Sequence, residues 1–298
     1  MMKLRTFVIV LIAVVIVIAG SLLASFFLIR PGETASQALV AQTKLQKPDH
    51  IVIVLEENHS YADIIGSSQA PYINALASKS AVFTNSHAET HPSQPNYLAF
   101  YSGSTQGTTS DDCPNTFSGP NLGQSLIATH LSFAGYSESM PAAGYTGCAY
   151  PDPSNALYAR KHNPWVNFTN VPASSNLPFT QFPTDYSKLP TVSFVIPNQI
   201  DDMHSASVAA GDTWLKQNMD SYAQWATTHN SLLIVTWDED DGSDVNQILT
   251  LFSGSMVKPG QYNENLNHYN ILRTIEDMYK LTPINQSATV PSITDIWK

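Results

Sequence analysis

Three short apolar runs constrain the fold of this 298-residue chain more than any other feature of its sequence. They are residues 51–55 (IVIVL), 191–196 (TVSFVI) and 231–237 (SLLIVTW). Their unbroken hydrophobicity and many β-branched residues are typical of strands buried on both faces of a parallel sheet. Segments with a helical pattern alternate with them, at 71–80, 209–228 and 270–281. This alternation predicts an α/β fold, a three-layer sandwich around a mostly parallel central sheet.

Residues 104–190 interrupt this alternation. The segment is crowded with Gly, Pro, Ser and Asn, and its periodicity is weak apart from a helical pattern over 122–134. Such a length without regular structure is uncommon inside a compact domain, so we interpret it as a loop-rich insertion that shapes a substrate pocket. With this insertion, residues 48–298 form one predicted catalytic domain.

The first 30 residues differ from the rest of the chain. An apolar run over 7–29 follows two basic residues and precedes one. At about 1.5 Å per residue, a run of this length spans a bilayer core of about 30 Å. We therefore predict a transmembrane anchor over 1–30 and a flexible linker over 31–47. The protein would then cross the cell membrane once, with its folded domain outside the cytoplasm. A cleaved secretory signal is the alternative, and it would give a secreted protein.

Charge and cysteine content limit the partners of the chain. There are 24 acidic and 14 basic side chains, which gives a formal net charge of −10. Because a protein that binds nucleic acid needs a basic surface, we expect no nucleic-acid partner. Cys113 and Cys148 are the only cysteines, and neither lies in a CxxC motif, which argues against a thiolate zinc site. In an exported chain an isolated pair favours a disulfide, so we predict one between them.

Ser93 precedes a helix-compatible run that extends to Gly103. Pro95 suits a first helical turn, and serine is a good cap just outside it. The backbone N–H groups and the positive end of such a helix also favour a phosphate or a developing oxyanion next to this hydroxyl. This stretch alone therefore allows two interpretations of Ser93, a plain helix cap or a nucleophile. Residues elsewhere in the chain are needed to choose between them.

Polar residues follow the three buried strands at the point where each strand ends. These residues are Glu57-Asn58, Asp202 with His204, and Asp238-Glu239. Ligands of open α/β sheets bind beyond the carboxyl ends of the strands. An oxygen-rich set with few nitrogens and no sulfur suits a hard or borderline divalent cation. A metal beside Ser93 would lower the pKa of its hydroxyl and orient a phosphoryl group for attack.

Four further side chains complete the predicted site. We expect Asn96 to donate its side-chain N–H to a phosphoryl oxygen as negative charge develops. We expect His204 or His268 to hydrogen-bond the phosphoryl group or to protonate the leaving oxygen. Asp202 is expected to orient His204, with a plain turn as the alternative explanation of this pair.

Five short motifs carry a family resemblance. They are residues 55–61 (LEENHSY), 91–97 (HPSQPNY), 202–204 (DMH), 237–239 (WDE) and 268–277 (HYNILRTIED). In this order and spacing they resemble the bacterial phosphoesterase family, which holds acid phosphatases and phospholipases C within the alkaline-phosphatase superfamily. The resemblance extends from about residue 48 to about residue 281. It implies an alkaline-phosphatase-like fold.

The resemblance also implies roles for single residues. Glu57 and Asn58 look like one pair of metal ligands, and Asp238 and Glu239 like the second pair. Ser93 looks like the nucleophile that forms a phosphoserine intermediate and also contacts the metal.

His204 and His268 resemble the histidines that contact the phosphoryl group. One feature departs from the wider superfamily, whose two-zinc members use Asp-x-x-x-His and Asp-His ligand pairs. This chain has Asp-x-His at 202–204 and Asp-Glu at 238–239, which predicts one divalent metal ion per chain and leaves its identity open.

These observations predict a metal-dependent, membrane-tethered hydrolase of phosphate esters that acts on a phosphorylated small molecule or lipid through a phosphoenzyme at Ser93. An acid-phosphatase-type phosphomonoesterase is favoured over a phospholipase C-type phosphodiesterase. A cell-surface binding protein with a structural calcium is the alternative of another class, and it leaves the Ser93 hydroxyl without a role. A sulfatase or phosphonate hydrolase is the third alternative, although the sequence context of a sulfatase nucleophile is missing.

Overall fold

The computed structural model describes residues 45–298 of the chain. The predicted anchor over 1–30 and most of the predicted linker over 31–47 lie outside the described residues. Within 45–298, none of the helices has both the length and the hydrophobicity needed to cross a membrane.

An eight-stranded sheet forms the centre of the described domain. Its strands are β1 (His50–Glu56), β2 (Ala81–His87), β3 (Phe133–Ser137), β6 (Asn176–Pro178), β7 (Val192–Ile196), β8 (Ser231–Trp237), β9 (Gln247–Ser253) and β10 (Gly260–Tyr262). A separate antiparallel pair consists of β4 (Ala149–Tyr150) and β5 (Tyr158–Ala159). The spatial order is β10-β2-β9-β8-β1-β7-β3-β6, and within this sheet only β9 is antiparallel to its neighbours. The prediction of an α/β fold with a mostly parallel sheet is confirmed.

Helices cover both faces of the sheet. One face packs against α1 (Tyr61–Ile64), α2 (Pro71–Ala77) and α5 (Val208–Ala226). The other packs against α3 (Ser93–Ser102), α4 (Leu122–Ala128) and α6 (His268–Tyr279). Side chains of β1 alternate between the two layers: Ile51, Ile53 and Leu55 face the second layer, and Val52 and Val54 face the first. Because both faces are buried, the central strands are apolar throughout rather than alternating.

The segment 104–190 is more ordered than its sequence suggests. The helix that we expected over 122–134 ends at Ala128, and residues from Phe133 onward form β3 of the main sheet. Gly135 allows the Trp165 ring to pack directly against this strand, because a Cβ there would lie 2.1 Å from the ring. A five-residue strand is too short for its hydrophobic pattern to be distinguished from the end of a helix.

The disulfide predicted between Cys113 and Cys148 is present, with an Sγ–Sγ distance of 2.05 Å. Arg160 lies next to it, with its Nη1 donating to the Thr146 carbonyl at 2.7 Å and its Nη2 to the Asn115 carbonyl at 3.0 Å. The disulfide and Arg160 together fix the part of the segment that begins at Arg160 and leads to the candidate site.

Candidate active site

The loops that follow β1, β7 and β8 are linked to one another at the carboxyl edge of the sheet. The N–H of Glu57 donates to the carbonyl of Asp202 at 2.8 Å, and the N–H of Asn58 lies 3.3 Å from Asp238 Oδ1. Asn58 has a φ of 54°, a left-handed conformation that asparagine tolerates better than most residues. The structure therefore brings the acidic strand ends together, as their position at one edge of a parallel sheet predicts.

Ser93 points into this group of carboxylates. Its hydroxyl lies 3.2 Å from Glu57 Oε2 and 3.0 Å from Glu239 Oε1, and the side chain is buried. Pro92 occupies the N-cap position of α3, and Ser93 is the first helical residue. The interpretation of Ser93 as the helix cap is therefore wrong, because its hydroxyl is bonded to side chains of other loops instead of the N–H groups of its own helix.

His162 enters the same group from segment 104–190, and the sequence reasoning missed it. Its Nε2 lies 3.1 Å from Glu57 Oε1, and its Nδ1 lies 3.6 Å from Asp202 Oδ2. The ring stacks on Tyr97 at a centroid distance of 5.1 Å, and the Tyr97 hydroxyl donates to Glu57 Oε1. Glu57, His162 and His204 each offer a donor atom within 4.8 Å of the others, so these three could hold a metal ion.

His204 and Asp202 lie together, but their contact is not the predicted one. Asp202 Oδ1 accepts the backbone N–H of His204 at 2.8 Å and does not contact its imidazole. The His204 ring lies instead beside Ser205 Oγ, at 3.1 Å, and beside the ring of His162, at a centroid distance of 5.7 Å. Asp202 thus fixes the turn that carries His204, and its free Oδ2 faces His162.

Asn96 and His268 bond to groups that surround the carboxylates. Asn96 Oδ1 accepts the N–H of Thr90 at 3.0 Å, and its Nδ2 donates to the Thr90 carbonyl at 2.8 Å, which shapes the loop ahead of Ser93. His268 is fully buried, with Nδ1 2.6 Å from Glu89 Oε2 and Nε2 2.9 Å from the Trp237 carbonyl. Burial lowers the pKa of His268, but Glu89 and the Trp237 carbonyl outweigh it and raise this pKa above its usual value, and both ring nitrogens face acceptors.

Burial dominates the electrostatics of the site. It raises the pKa of Glu57, Asp202 and Asp238 well above the usual range, and the neighbouring carboxylates raise these values further. It lowers the pKa of His162 well below its usual range, and the Lys161 ammonium adds to this effect. The imidazole is therefore neutral and has a lone pair available to a metal.

Within residues 45–298, three buried oxygens at this position have no hydrogen-bond partner: Asn58 Oδ1, Asp202 Oδ2 and Asp238 Oδ2. Unpaired carboxylates in such a place are strongly unfavourable unless a cation compensates them. Carboxylate, amide and hydroxyl oxygens with one or two imidazole nitrogens form a donor set for a borderline divalent cation. The residues present therefore fit a metal ion.

Two basic side chains border the carboxylates, and both were missed from the sequence. Lys161 Nζ lies 2.8 Å from Asp111 Oδ2, and Asp111 Oδ1 accepts the N–H of Gln94, the residue after Ser93. His91 Nδ1 lies 2.7 Å from Glu239 Oε2. His91 is part of the motif over 91–97 and could have been identified there, whereas Lys161 and His162 lie in a segment without a recognisable pattern.

The chain is similar to known phosphatases along most of its length. The model of the phosphoesterase family matches residues 67–282. The chain is 50% identical over 289 residues to a phosphatidylinositol-3-phosphatase of Mycobacterium tuberculosis, covering 96% of this chain and 93% of that protein. It is 31% identical over 228 residues to a phosphate-repressible acid phosphatase of Penicillium chrysogenum, covering 72% of this chain and 55% of that protein. The chain thus spans about half the length of this fungal relative.

Solved structures agree on the fold. A protein of the alkaline phosphatase superfamily from Vibrio parahaemolyticus superposes with a TM-score of 0.60 at 14% identity, over 85% of this chain and 72% of that one. At this identity the likeness shows the fold alone, which is alkaline-phosphatase-like, as the resemblance implied. The matches in sequence to phosphatases remove the alternative of a protein that only binds. The chain belongs to the phosphoesterase family and is an enzyme that hydrolyses phosphoric ester bonds.

Proposed function

We propose that this protein is a metal-dependent phosphomonoesterase that acts through a phosphoserine at Ser93. The observation that carries the proposal is the contact of the Ser93 hydroxyl with both Glu57 and Glu239, inside a group of buried carboxylates. The substrate class is phosphorylated polyols and their lipids. The 50% identity to a phosphatidylinositol-3-phosphatase over nearly the whole length of both chains supports this choice.

The metal would be held by Glu57, Asn58, Asp238 and Glu239, with His162 as a further donor; His204, which could also contribute a donor atom, is assigned to proton transfer in this proposal. When bound, a divalent cation supplies Lewis acidity, which lowers the pKa of a neighbouring hydroxyl and compensates charge on phosphoryl oxygens.

The remaining steps belong to side chains of this chain. Ser93 Oγ forms a bond to phosphorus as the bond to the leaving oxygen breaks, and Glu239 accepts the hydroxyl proton. His204, at the rim of the carboxylate group, gives a proton to the leaving oxygen. Water then attacks the phosphoserine and gives a proton to His204, while the bond from phosphorus to Ser93 Oγ breaks and Glu239 returns its proton to that oxygen, which releases phosphate and restores the serine. Lys161 compensates the negative charge of the phosphoryl group, held in position by Asp111.

Phospholipase C-type diester hydrolysis is the second candidate. A phosphodiester group carries one negative charge and a phosphomonoester group carries two, and the basic side chains of Lys161 and His91 beside the carboxylates favour the dianion. The membrane tether also remains a proposal. It rests on the apolar run over 7–29, and resistance of the full chain to carbonate extraction from membranes would support it.

The test compares wild type with Ser93→Ala on p-nitrophenyl phosphate, bis-p-nitrophenyl phosphate and vesicles that contain phosphatidylinositol 3-phosphate. We expect Ser93→Ala to lose at least about 10³-fold in kcat on the monoesters. Acid quenching with a ³²P-labelled substrate should trap labelled wild-type protein and no labelled variant. Ser102→Ala, at the other end of α3, is the matched control, since the Ser102 hydroxyl bonds to the carbonyls at 98 and 104 and to the Gln106 side chain, and contacts none of the carboxylates. Near-wild-type turnover by Ser93→Ala would refute the nucleophile, and a preference for the diester would reverse the choice between candidates.

A further inference from the structure

The exposed lysines of the described domain are concentrated on one side of it. Six lie around the edge at which the parallel strands of the main sheet begin, opposite the carboxyl edge that carries the Ser93 site. They are Lys47, Lys79, Lys188, Lys258, Lys280 and Lys298. Within residues 45–298 the one other exposed lysine, Lys216, lies in the middle of α5, and none lies at the carboxyl edge.

Lys258 lies between the segments that carry Lys79 and Lys298. Its N–H donates to the Ile296 carbonyl at 2.7 Å, close to the end of the chain. The residue after Lys79 accepts the N–H of Gly260 at 3.0 Å. These three lysines therefore come from adjoining segments.

Lys47 lies against the end of α6. Its Nζ is 5.8 Å from the centroid of the Tyr279 ring, and Lys280 directly follows that tyrosine. The Tyr279 hydroxyl lies 3.3 Å from the Thr191 carbonyl, in the segment that carries Lys188. The six lysines thus surround one surface, which we name the lysine edge.

The chain enters the described domain at the lysine edge. Gln46 Nε2 donates to the Lys298 carbonyl at 3.3 Å, and the Lys47 carbonyl accepts the side chain of Asn230 at 2.9 Å. Residues 30–44 separate this point from the apolar run over 7–29. A chain of that length reaches at most about 50 Å when fully extended. A bilayer that holds the apolar run therefore lies within reach of the lysine edge.

Acidic side chains are distributed differently. Three exposed aspartates, Asp49, Asp185 and Asp295, lie among the six lysines, so positive charge exceeds negative charge at this edge. The carboxyl edge carries the buried carboxylates around Ser93, together with the exposed Asp241 and Asp244. The domain therefore has a positive side and a negative side, and an external field orients such a molecule.

We propose that the lysine edge contacts an anionic lipid surface and holds the carboxyl edge, with Ser93, on the side of the domain away from that surface. The negative potential of such a surface attracts the lysines and repels the carboxyl edge, so both effects give the same orientation. This interaction surface is additional to the proposed phosphomonoesterase function and does not depend on it.

The entry point of the chain favours a bilayer over a soluble acidic partner. The proposed tether would keep the lysine edge close to lipid at all times, which raises the effective concentration of the two surfaces. Trp225, half-buried beside His50 at this edge, adds an aromatic ring of the kind found at membrane interfaces.

The test measures the acetylation rate of single lysines by mass spectrometry, with the full chain and vesicles of phosphatidylcholine alone or mixed equally with phosphatidylglycerol. At low salt we expect the anionic vesicles to slow acetylation of Lys188, Lys258 and Lys280 at least about threefold relative to phosphatidylcholine, and high salt should abolish the difference. Lys216 is the internal control, because it is exposed on α5 away from this edge, and its rate should be the same with both vesicles.

Charge reversal gives a second measurement. Lys188→Glu/Lys280→Glu should remove the protection of Lys258 by anionic vesicles, whereas Lys216→Glu, the matched control variant, should keep it. All three substituted side chains are exposed, so the fold should not be affected, and a thermal melt verifies this. Hydrolysis of p-nitrophenyl phosphate should be unchanged in both variants, since none of these lysines lies near Ser93.

Three results would overturn the proposal. They are equal acetylation of the edge lysines with both kinds of vesicle, equal protection of Lys216, and unaltered protection of Lys258 in the double variant. Protection by soluble polyglutamate as strong as that by anionic vesicles would overturn lipid as the partner. Hydrolysis of p-nitrophenyl phosphate is measured separately, so the proposed phosphomonoesterase function stands or fails independently of these results.

Discussion

Tyr97 offers a one-atom test of the candidate metal centre. It lies on α3, is fully buried, and its hydroxyl donates to Glu57 Oε1. Tyr97→Phe removes that hydroxyl and keeps the ring, so the stacking on His162 at 5.1 Å is preserved. The substitution therefore changes the orientation and charge of Glu57 and little else.

The expected size of the effect follows from the kind of bond that is lost. A hydrogen bond to a charged group contributes about 1.5–3 kcal/mol to stability. A group that orients a metal ligand contributes about 10–100-fold in metal affinity or activity. We therefore expect Tyr97→Phe to bind its metal about 10–100-fold more weakly and to recover much of its activity when the metal is in large excess.

The assay is p-nitrophenyl phosphate hydrolysis during metal titration of chelator-treated protein, with metal content measured by mass spectrometry. Tyr101→Phe is the matched control: Tyr101 lies one turn further along α3, is equally buried, and directs its hydroxyl toward Gly123 instead of a carboxylate. If Tyr97→Phe and Tyr101→Phe gave the same metal titration curve, Glu57 would not be a ligand oriented by Tyr97.

Three further predictions concern pH, the disulfide and the phosphoryl group. Burial raises the pKa of Glu276 from 4.5 to about 7. The folded state therefore keeps a proton that the unfolded state loses, and stability falls by about 3 kcal/mol as the pH rises from about 4.5 to about 7. Because other buried carboxyls also have raised pKa values, the stability lost between pH 5 and pH 8 in urea unfolding should be smaller in Glu276→Gln than in wild type, by about 3 kcal/mol; an unchanged loss would contradict the assignment. Cys113 and Cys148 lie 35 residues apart, and replacing both by serine should lower the free energy of unfolding by about 4 kcal/mol. Activity should also fall, because Arg160 connects the same region to the site. Full activity of this variant would show that the disulfide does not position the site. Lys161→Met should raise KM for phosphate monoesters at least about tenfold, and Lys161→Arg should raise it less because it keeps the positive charge. An unaltered KM in Lys161→Met would exclude contact between Lys161 and the phosphoryl group.

The part of the site that the sequence predicts is carried by local patterns. Glu57 and Asp238 directly follow apolar runs whose composition identifies them as strands, and the geometry of a parallel sheet brings the ends of such strands together. Ser93 could be linked to them because its motif lies at the beginning of a helix. In each case the signal lies within a few residues of the functional side chain.

His162 has no such signal. It belongs to a single turn over 160–162, and its position depends on contacts between distant parts of the chain. Arg160 Nε donates to Asn167 Oδ1 at 2.9 Å, and its other nitrogens bond to carbonyls near the two cysteines. These contacts form only in the folded protein, so neither periodicity nor spacing could reveal that residues more than 100 positions apart, Glu57 and His162, meet.

Adjacent glutamates at the end of β1 concentrate buried carboxyl groups at this edge of the sheet. Side chains alternate along a strand, so Glu56 and Glu57 point to opposite faces, and both are fully buried. Burial raises the pKa of Glu56 well above its usual range, Asp201 and Glu138 add to the effect, and neither carboxylate oxygen of Glu56 has a hydrogen-bond partner. A strand end with buried carboxyl groups on both faces opposes folding unless positive charge is supplied. The described site has few cationic side chains. A metal bound by Glu57 and its neighbours would therefore stabilise the folded state and also support catalysis. The same residues would then determine both stability and activity.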